Sequence, residues 1–101
     1  MKVAFLVGLL SVPLAARGAE PPASLTRYRC YFCHSDRERL TGPAFAEVAA
    51  SYREQSGAVT TIANNIRTGI QSGGPWHMPP HPEVSEADAR SMARYILALK
   101  K

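Results

Sequence analysis

At 101 residues the chain holds at most one domain, since compact domains run from about 50 to 250 residues, and 46% hydrophobic with 20% charged residues describes a globular polymer rather than a disordered one. Its formal charge of +4, from 12 Lys and Arg against 8 Asp and Glu, comes with no basic stripe interleaved with aromatic residues. That excludes a nucleic-acid surface and leaves scattered arginines on a solvated face. No paired carboxylates and no nucleophile–base pair suggest catalysis.

Lys2, the apolar run from Val3 to Leu14 and the small residues behind it have the layout of a secretory signal peptide. Cleavage between Gly18 and Ala19 puts Ala16 and Gly18 at the two positions that must be small, so residues 1–18 are expected to be removed and 19–101 to form the domain. The run of about 12 apolar residues, broken by Pro13, falls short of the about 20 needed to span hydrocarbon, so no stable membrane insertion is expected. No cysteine lies near the cleavage region to take a lipid. Loss of Lys2 and Arg17 reduces the net charge to +2. A mature chain of about 83 residues builds only a marginal core, which calls for a disulfide, a metal or a cofactor.

Glu20 to Ala23 reads as a stiff leader, and Ser24 is expected to cap a short helix running through Cys30–His34 with Leu25 and Tyr28 inward. A polar loop, Ser35 to Arg39, closes at Thr41-Gly42-Pro43. Phe45, Val48, Ala49 and Tyr52 then recur at helical spacing until Ser56-Gly57. A third helix carries Val59, Ile62, Ile66 and Ile70 on one stripe and ends in the breakers of 72–75. After a proline-rich loop, Ser85 and Asp88 form a capping-box-like start to the last helix, which buries Ala89, Met92, Ala93, Ile96 and Leu99.

The chemistry sits in Cys30-Tyr31-Phe32-Cys33-His34, which holds both cysteines of the chain. A disulfide between them would close a loop of a few residues and stabilise little. A thioredoxin-like pair needs a βαβ setting that this sequence lacks, and zinc needs four ligands where no second cysteine pair exists. C-x-x-C-H fits covalent haem attachment. Sulfurs three residues apart fall on one side of a helical turn, each placed to form a thioether with a vinyl group of one porphyrin. His34 then lies under the iron as proximal ligand.

What occupies the other face of the iron decides between electron transfer, gas binding and oxidative chemistry. Met1 leaves with the signal peptide, and Met92 belongs to the apolar stripe of the last helix. His77, Met78 and His81 share one loop whose prolines restrict the backbone and present a side chain at low entropic cost. An imidazole would lower the potential and a thioether raise it. Ligand chemistry alone leaves the three open.

The order Cys-Tyr-Phe-Cys-His, Thr-Gly-Pro-Ala-Phe, His-Met-Pro-Pro-His-Pro and a terminal helix with Tyr95-Ile96-Leu97 resembles the small bacterial class I monohaem cytochromes c, over about Leu25 to Leu99. The resemblance implies an all-α cytochrome c fold, about four short helices wrapped around one covalently bound haem c and its iron. It implies a periplasmic, non-enzymatic electron carrier cycling between Fe(III) and Fe(II). By it, Met78 is the distal ligand and the Pro43 carbonyl accepts the Nδ1 proton of His34, which would fix the ring and its tautomer. Trp76 is expected to support the haem, through its indole N–H on a propionate or by burial against the porphyrin. Partners would be redox proteins met by transient contact, such as a respiratory complex, a terminal oxidase or nitrite reductase, with the carrier a monomer. The competing readings are a haem sensor or peroxidase-like enzyme with an open distal site, and a haem subunit of a larger dehydrogenase. Two departures stand out: Arg29 where family members often carry glycine before the first cysteine, and His77 beside Met78.

Overall fold

The computed structural model describes Gly8 and residues 20–71 and 77–100. The rest of the expected signal peptide, the breaker stretch 72–75 and Trp76 lie outside the described residues. Among these are four α-helices, α1 (Ala23–Arg27), α2 (Phe45–Tyr52), α3 (Ala58–Thr68) and α4 (Glu86–Ala98), and a 3-10 turn over Cys30–Phe32. No strand forms among them; one isolated antiparallel bridge joins Ile70 to Met78.

The longest element, α4, starts where its sequence says it should. Ser85 accepts the Asp88 N–H on its hydroxyl at 3.1 Å, satisfying one of the donors a helix start leaves unpaired. The Asp88 carboxylate does not turn back to complete a capping box. It accepts the Tyr28 hydroxyl at 3.0 Å and the Arg27 guanidinium at 3.2 Å, tying α1 to α4. Ala89, Met92, Ala93 and Ile96 are buried as the spacing requires, and so is Tyr95, while Leu99 falls past the helix end and is half-buried. Leu25, Phe45, Ile62, Ile66 and Val84 pack against this face to form one core. Each such side chain contributes about 1.5–3 kcal/mol by leaving water.

Two expectations about the first helix need correction. It begins after Pro22, whose ψ of 142° is extended, so Ser24 lies inside the first turn and is buried instead of capping it. Nor does the helix run through the cysteines. Tyr28 ends it, Arg29 turns left-handed at φ 62° and ψ 30°, and Cys30–Phe32 restart as a tighter turn. A left-handed residue directly after a helix is a position that favours glycine, because a Cβ there meets the following carbonyl. Arg29 pays that strain and points outward, its guanidinium 5.8 Å over the exposed Phe32 ring. Arg29→Gly is therefore expected to raise stability by about 0.5 kcal/mol, relief of about 1–2 kcal/mol being partly offset by the freedom glycine adds to the unfolded chain and by the lost cation–π contact. A shift in the denaturant midpoint of the haem-loaded protein measures it.

The third correction concerns α3. It stops at Thr68 because Gly69 takes φ 77°, three residues before the expected breakers, so Ile70 leaves the helical stripe and pairs with Met78.

Candidate functional site

The 3-10 turn, α2, α3 and the 77–81 segment enclose a cleft of about 550 Å³, within the about 300–1,000 Å³ usual for organic ligands and cofactors. Cys30, Cys33 and His34 line it from one end of the sequence, and His77, Met78 and His81 from the other. Core residues Leu25, Phe45, Ile62 and Ile66 supply apolar walls.

His34 is held on several sides. Its Nδ1 lies 2.7 Å from the Pro43 carbonyl; a carbonyl only accepts, so the proton resides on Nδ1 and Nε2 keeps a lone pair for a metal. The ring stacks on Phe45, centroids 4.9 Å apart and planes at 21°. Gly42, whose N–H donates to the Cys33 carbonyl at 2.7 Å, passes so close that a Cβ there would sit 2.6 Å from His34 Cε1 and 2.8 Å from Nδ1. Gly42→Ala should push the ring and the Pro43 carbonyl apart, at a cost of about 0.5–1.5 kcal/mol for the weakened hydrogen bond. Unfolding of the haem-loaded variant in denaturant reads that loss.

Cys30 and Cys33 are not joined by a disulfide; Cys33 is exposed and Cys30 half-buried. Burial first, and the neighbouring Cys33 to a smaller degree, push the Cys30 thiol up. A dithiol redox centre needs the opposite, a depressed thiol.

Met78 is positioned by the end of α3 as much as by its prolines. Ile70 N–H donates to the Met78 carbonyl at 2.9 Å and Met78 N–H to the Ile70 carbonyl at 3.1 Å. The His81 N–H reaches the Ile66 and Arg67 carbonyls, both at 3.2 Å, satisfying acceptors that the helix end would otherwise leave unpaired. Gly69 permits the approach: a Cβ on it would lie 2.7 Å from Met78 O, 2.7 Å from Pro80 N and 3.0 Å from Pro79 C. Sequence reading missed Gly69, although a glycine directly after Arg67-Thr68 was the available signal. His77 is exposed. His81 Nδ1 is buried without a hydrogen-bond partner, a cost that a polar group entering the cleft would remove.

Among the described residues no three His, Cys, Asp or Glu side chains gather to hold a bare metal ion. The donors at the cleft are imidazoles, one thioether and the Glu47 carboxylate, which Arg39 holds at 2.6 Å, with Cys30 and Cys33 beside them. An iron held by His34 and Met78 would need its remaining ligands from a macrocycle, and the apolar walls and paired thiols suit that macrocycle being a haem.

Known proteins resemble this chain in sequence and fold. The cytochrome c family model matches residues 19–100. The chain is 37% identical over 105 residues to cytochrome c-552 of Nitrosomonas europaea, covering 99% of this chain and all of that one, and equally identical over the same span to cytochrome c-551 of Pseudomonas aeruginosa. The crystal structure of wild-type Nitrosomonas europaea cytochrome c552 superimposes with a TM-score of 0.72 at 36% identity, over 75% of this chain and 95% of that one.

Proposed function

The chain belongs to the cytochrome c family, so it carries covalently bound haem c and transfers electrons through it, and we propose that Cys30 and Cys33 make the thioethers, His34 the proximal bond to iron and Met78 the distal one. The haem supplies one-electron chemistry at its iron; the chain decides how that iron is held and who reaches it. One observation carries the assignment: an imidazole with its tautomer fixed by Pro43 and a methionine whose backbone is bonded to Ile70 just past α3 line the same cleft as Cys30 and Cys33.

The Pro43 carbonyl makes His34 a stronger donor by drawing on the Nδ1 proton. Phe45 prevents the ring from rotating. Met78, held by backbone bonds on a segment stiffened by Pro79 and Pro80, favours the ferrous state as a soft ligand. With His34 and Met78 both holding the iron, substrates would be kept from it, which supports reading the chain as a carrier rather than an enzyme. The carrier works in the periplasm after residues 1–18 are removed; no helix among the described residues is long and apolar enough to cross a membrane. Its partners are redox proteins of a respiratory chain, met through small contacts near the exposed Cys33.

Visible spectra of the haem-loaded protein test this. A sharp reduced α band, with a weak near-red sulfur-to-iron band when oxidised, is the expected result. Low-spin spectra without the near-red band would shift the distal role to His77 or His81, and a high-spin spectrum would overturn the carrier reading.

A further inference from the structure

Three side chains that play no part in this site form a cluster beside it. The Tyr31 hydroxyl donates to Asp36 Oδ1 at 3.0 Å and the Tyr95 hydroxyl to Oδ2 of the same carboxylate at 2.6 Å. Tyr31 stands between the two cysteines, and its ring lies 5.8 Å from Phe45, which in turn stacks on His34. Tyr95 is buried and Tyr31 half-buried. Burial, and then the hydrogen bond and charge of Asp36, raise both phenols, so both hold their protons at neutral pH.

We propose a second redox function: Tyr31 and Tyr95, sharing Asp36, form an oxidisable pair that consumes one-electron oxidants and is refilled from the ferrous haem, on the reading that Cys30 and Cys33 carry that haem. A phenol gives up an electron easily only if its proton leaves with it, and a carboxylate at hydrogen-bond distance is the base that receives it. The oxidant is a small inorganic radical of the azidyl or nitrogen dioxide class. The radical accepts one electron from Tyr31 and departs as its anion, the phenolic proton moves to Asp36, and a neutral phenoxyl remains. That phenoxyl then takes one electron from ferrous iron and its proton back from Asp36, leaving the iron ferric and the pair restored. Tyr95, on the other carboxylate oxygen, exchanges with Tyr31 by the same transfer.

The other two tyrosines of the chain lack this arrangement. Tyr28 donates to Asp88 Oδ2 at 3.0 Å, but that oxygen already accepts from the Arg27 guanidinium at 3.2 Å and is shared with no second phenol. Tyr52 accepts from Asn65 Nδ2 at 3.4 Å.

Pulse radiolysis of the ferrous haem-loaded protein with azidyl radicals tests the proposal, following phenoxyl absorbance and the haem α band together. The expected result is a phenoxyl that decays in a concentration-independent step while the α band bleaches. That step is lost in Tyr31→Phe/Tyr95→Phe and in Asp36→Asn and kept in Tyr28→Phe. Bleaching with no preceding phenoxyl, or a step that survives in the double phenylalanine variant, overturns it. If Asp36→Asn alters the ferrous spectrum, the phenylalanine variants, which keep the rings, decide. Phenoxyl that forms and does not decay with the α band overturns the refilling while the haem reading stands. Pigment extractable into acidified solvent would overturn covalent attachment itself, and the refilling with it.

Discussion

A Cys30→Ala/Cys33→Ala variant prepared without haem is expected to lose most of its native far-UV circular dichroism and to show no cooperative melting. The cleft takes Leu25, Phe45, Ile62 and Ile66 from the core, so emptying it wets one face of the side chains that hold the helices together. At about 24 cal/mol per Å³ a closed cavity of that size would cost on the order of 10 kcal/mol, comparable with the whole stability of a domain. An open cleft costs less because water enters it, but a core this small tolerates a loss of only a few kcal/mol. Local structure offers no reserve. Helices of five, eight, eleven and thirteen residues sit at or below the about 12–15 at which an isolated helix becomes even marginally stable. Retention of a native-like spectrum and a cooperative transition would show that the polypeptide core suffices without the haem.

Gly69→Ala is expected to take Met78 off the iron. At φ 77° and ψ 172° Gly69 holds a conformation that costs an alanine about 1–3 kcal/mol, and its Cβ would also press on the backbone of Met78, Pro79 and Pro80 at 2.7–3.0 Å, with no flexible side chain to give way. Either the 78–80 segment retreats or the bridge between Ile70 and Met78 opens. The oxidised protein should lose its near-red band, and the reduced protein should bind carbon monoxide rapidly at neutral pH. Gly57→Ala separates strain from displacement. Gly57 is also at positive φ, 71° with ψ 25°, yet nothing lies within 4 Å of where its Cβ would stand, so that variant should lose about 1–2 kcal/mol to backbone strain and keep the near-red band. Identical spectra in both variants would mean that Gly69 terminates a helix and does not place the methionine.

The capping Ser85, the stripe of α4, the Ser56-Gly57 break and the amphipathic α2 were all legible from the chain, because each depends on residues within a turn or two of one another. The Cys-x-x-Cys-His motif was legible for the same reason: its chemistry is written in five consecutive residues. Where α1 and α3 end was not legible. Arg29 adopts a left-handed conformation against its own preference, and Gly69 ends α3 where the stripe of Val59, Ile62 and Ile66 seemed to continue to Ile70. In both places a segment elsewhere in the chain sets the turn: the terminal helix bound through Asp88 to Tyr28, and the 78–81 backbone bound to the carbonyls of α3.

By itself, then, the sequence determined the helical class and the residues able to bind a cofactor, since these follow from periodicity and side-chain chemistry. Only the tertiary structure decided that residues 34 and 78 line one cleft, that Gly42 and Gly69 make room for them, and that Tyr31, Asp36 and Tyr95 meet. Such juxtapositions depend on contacts between residues up to about sixty positions apart, and loop closure over that distance leaves no local pattern in the chain.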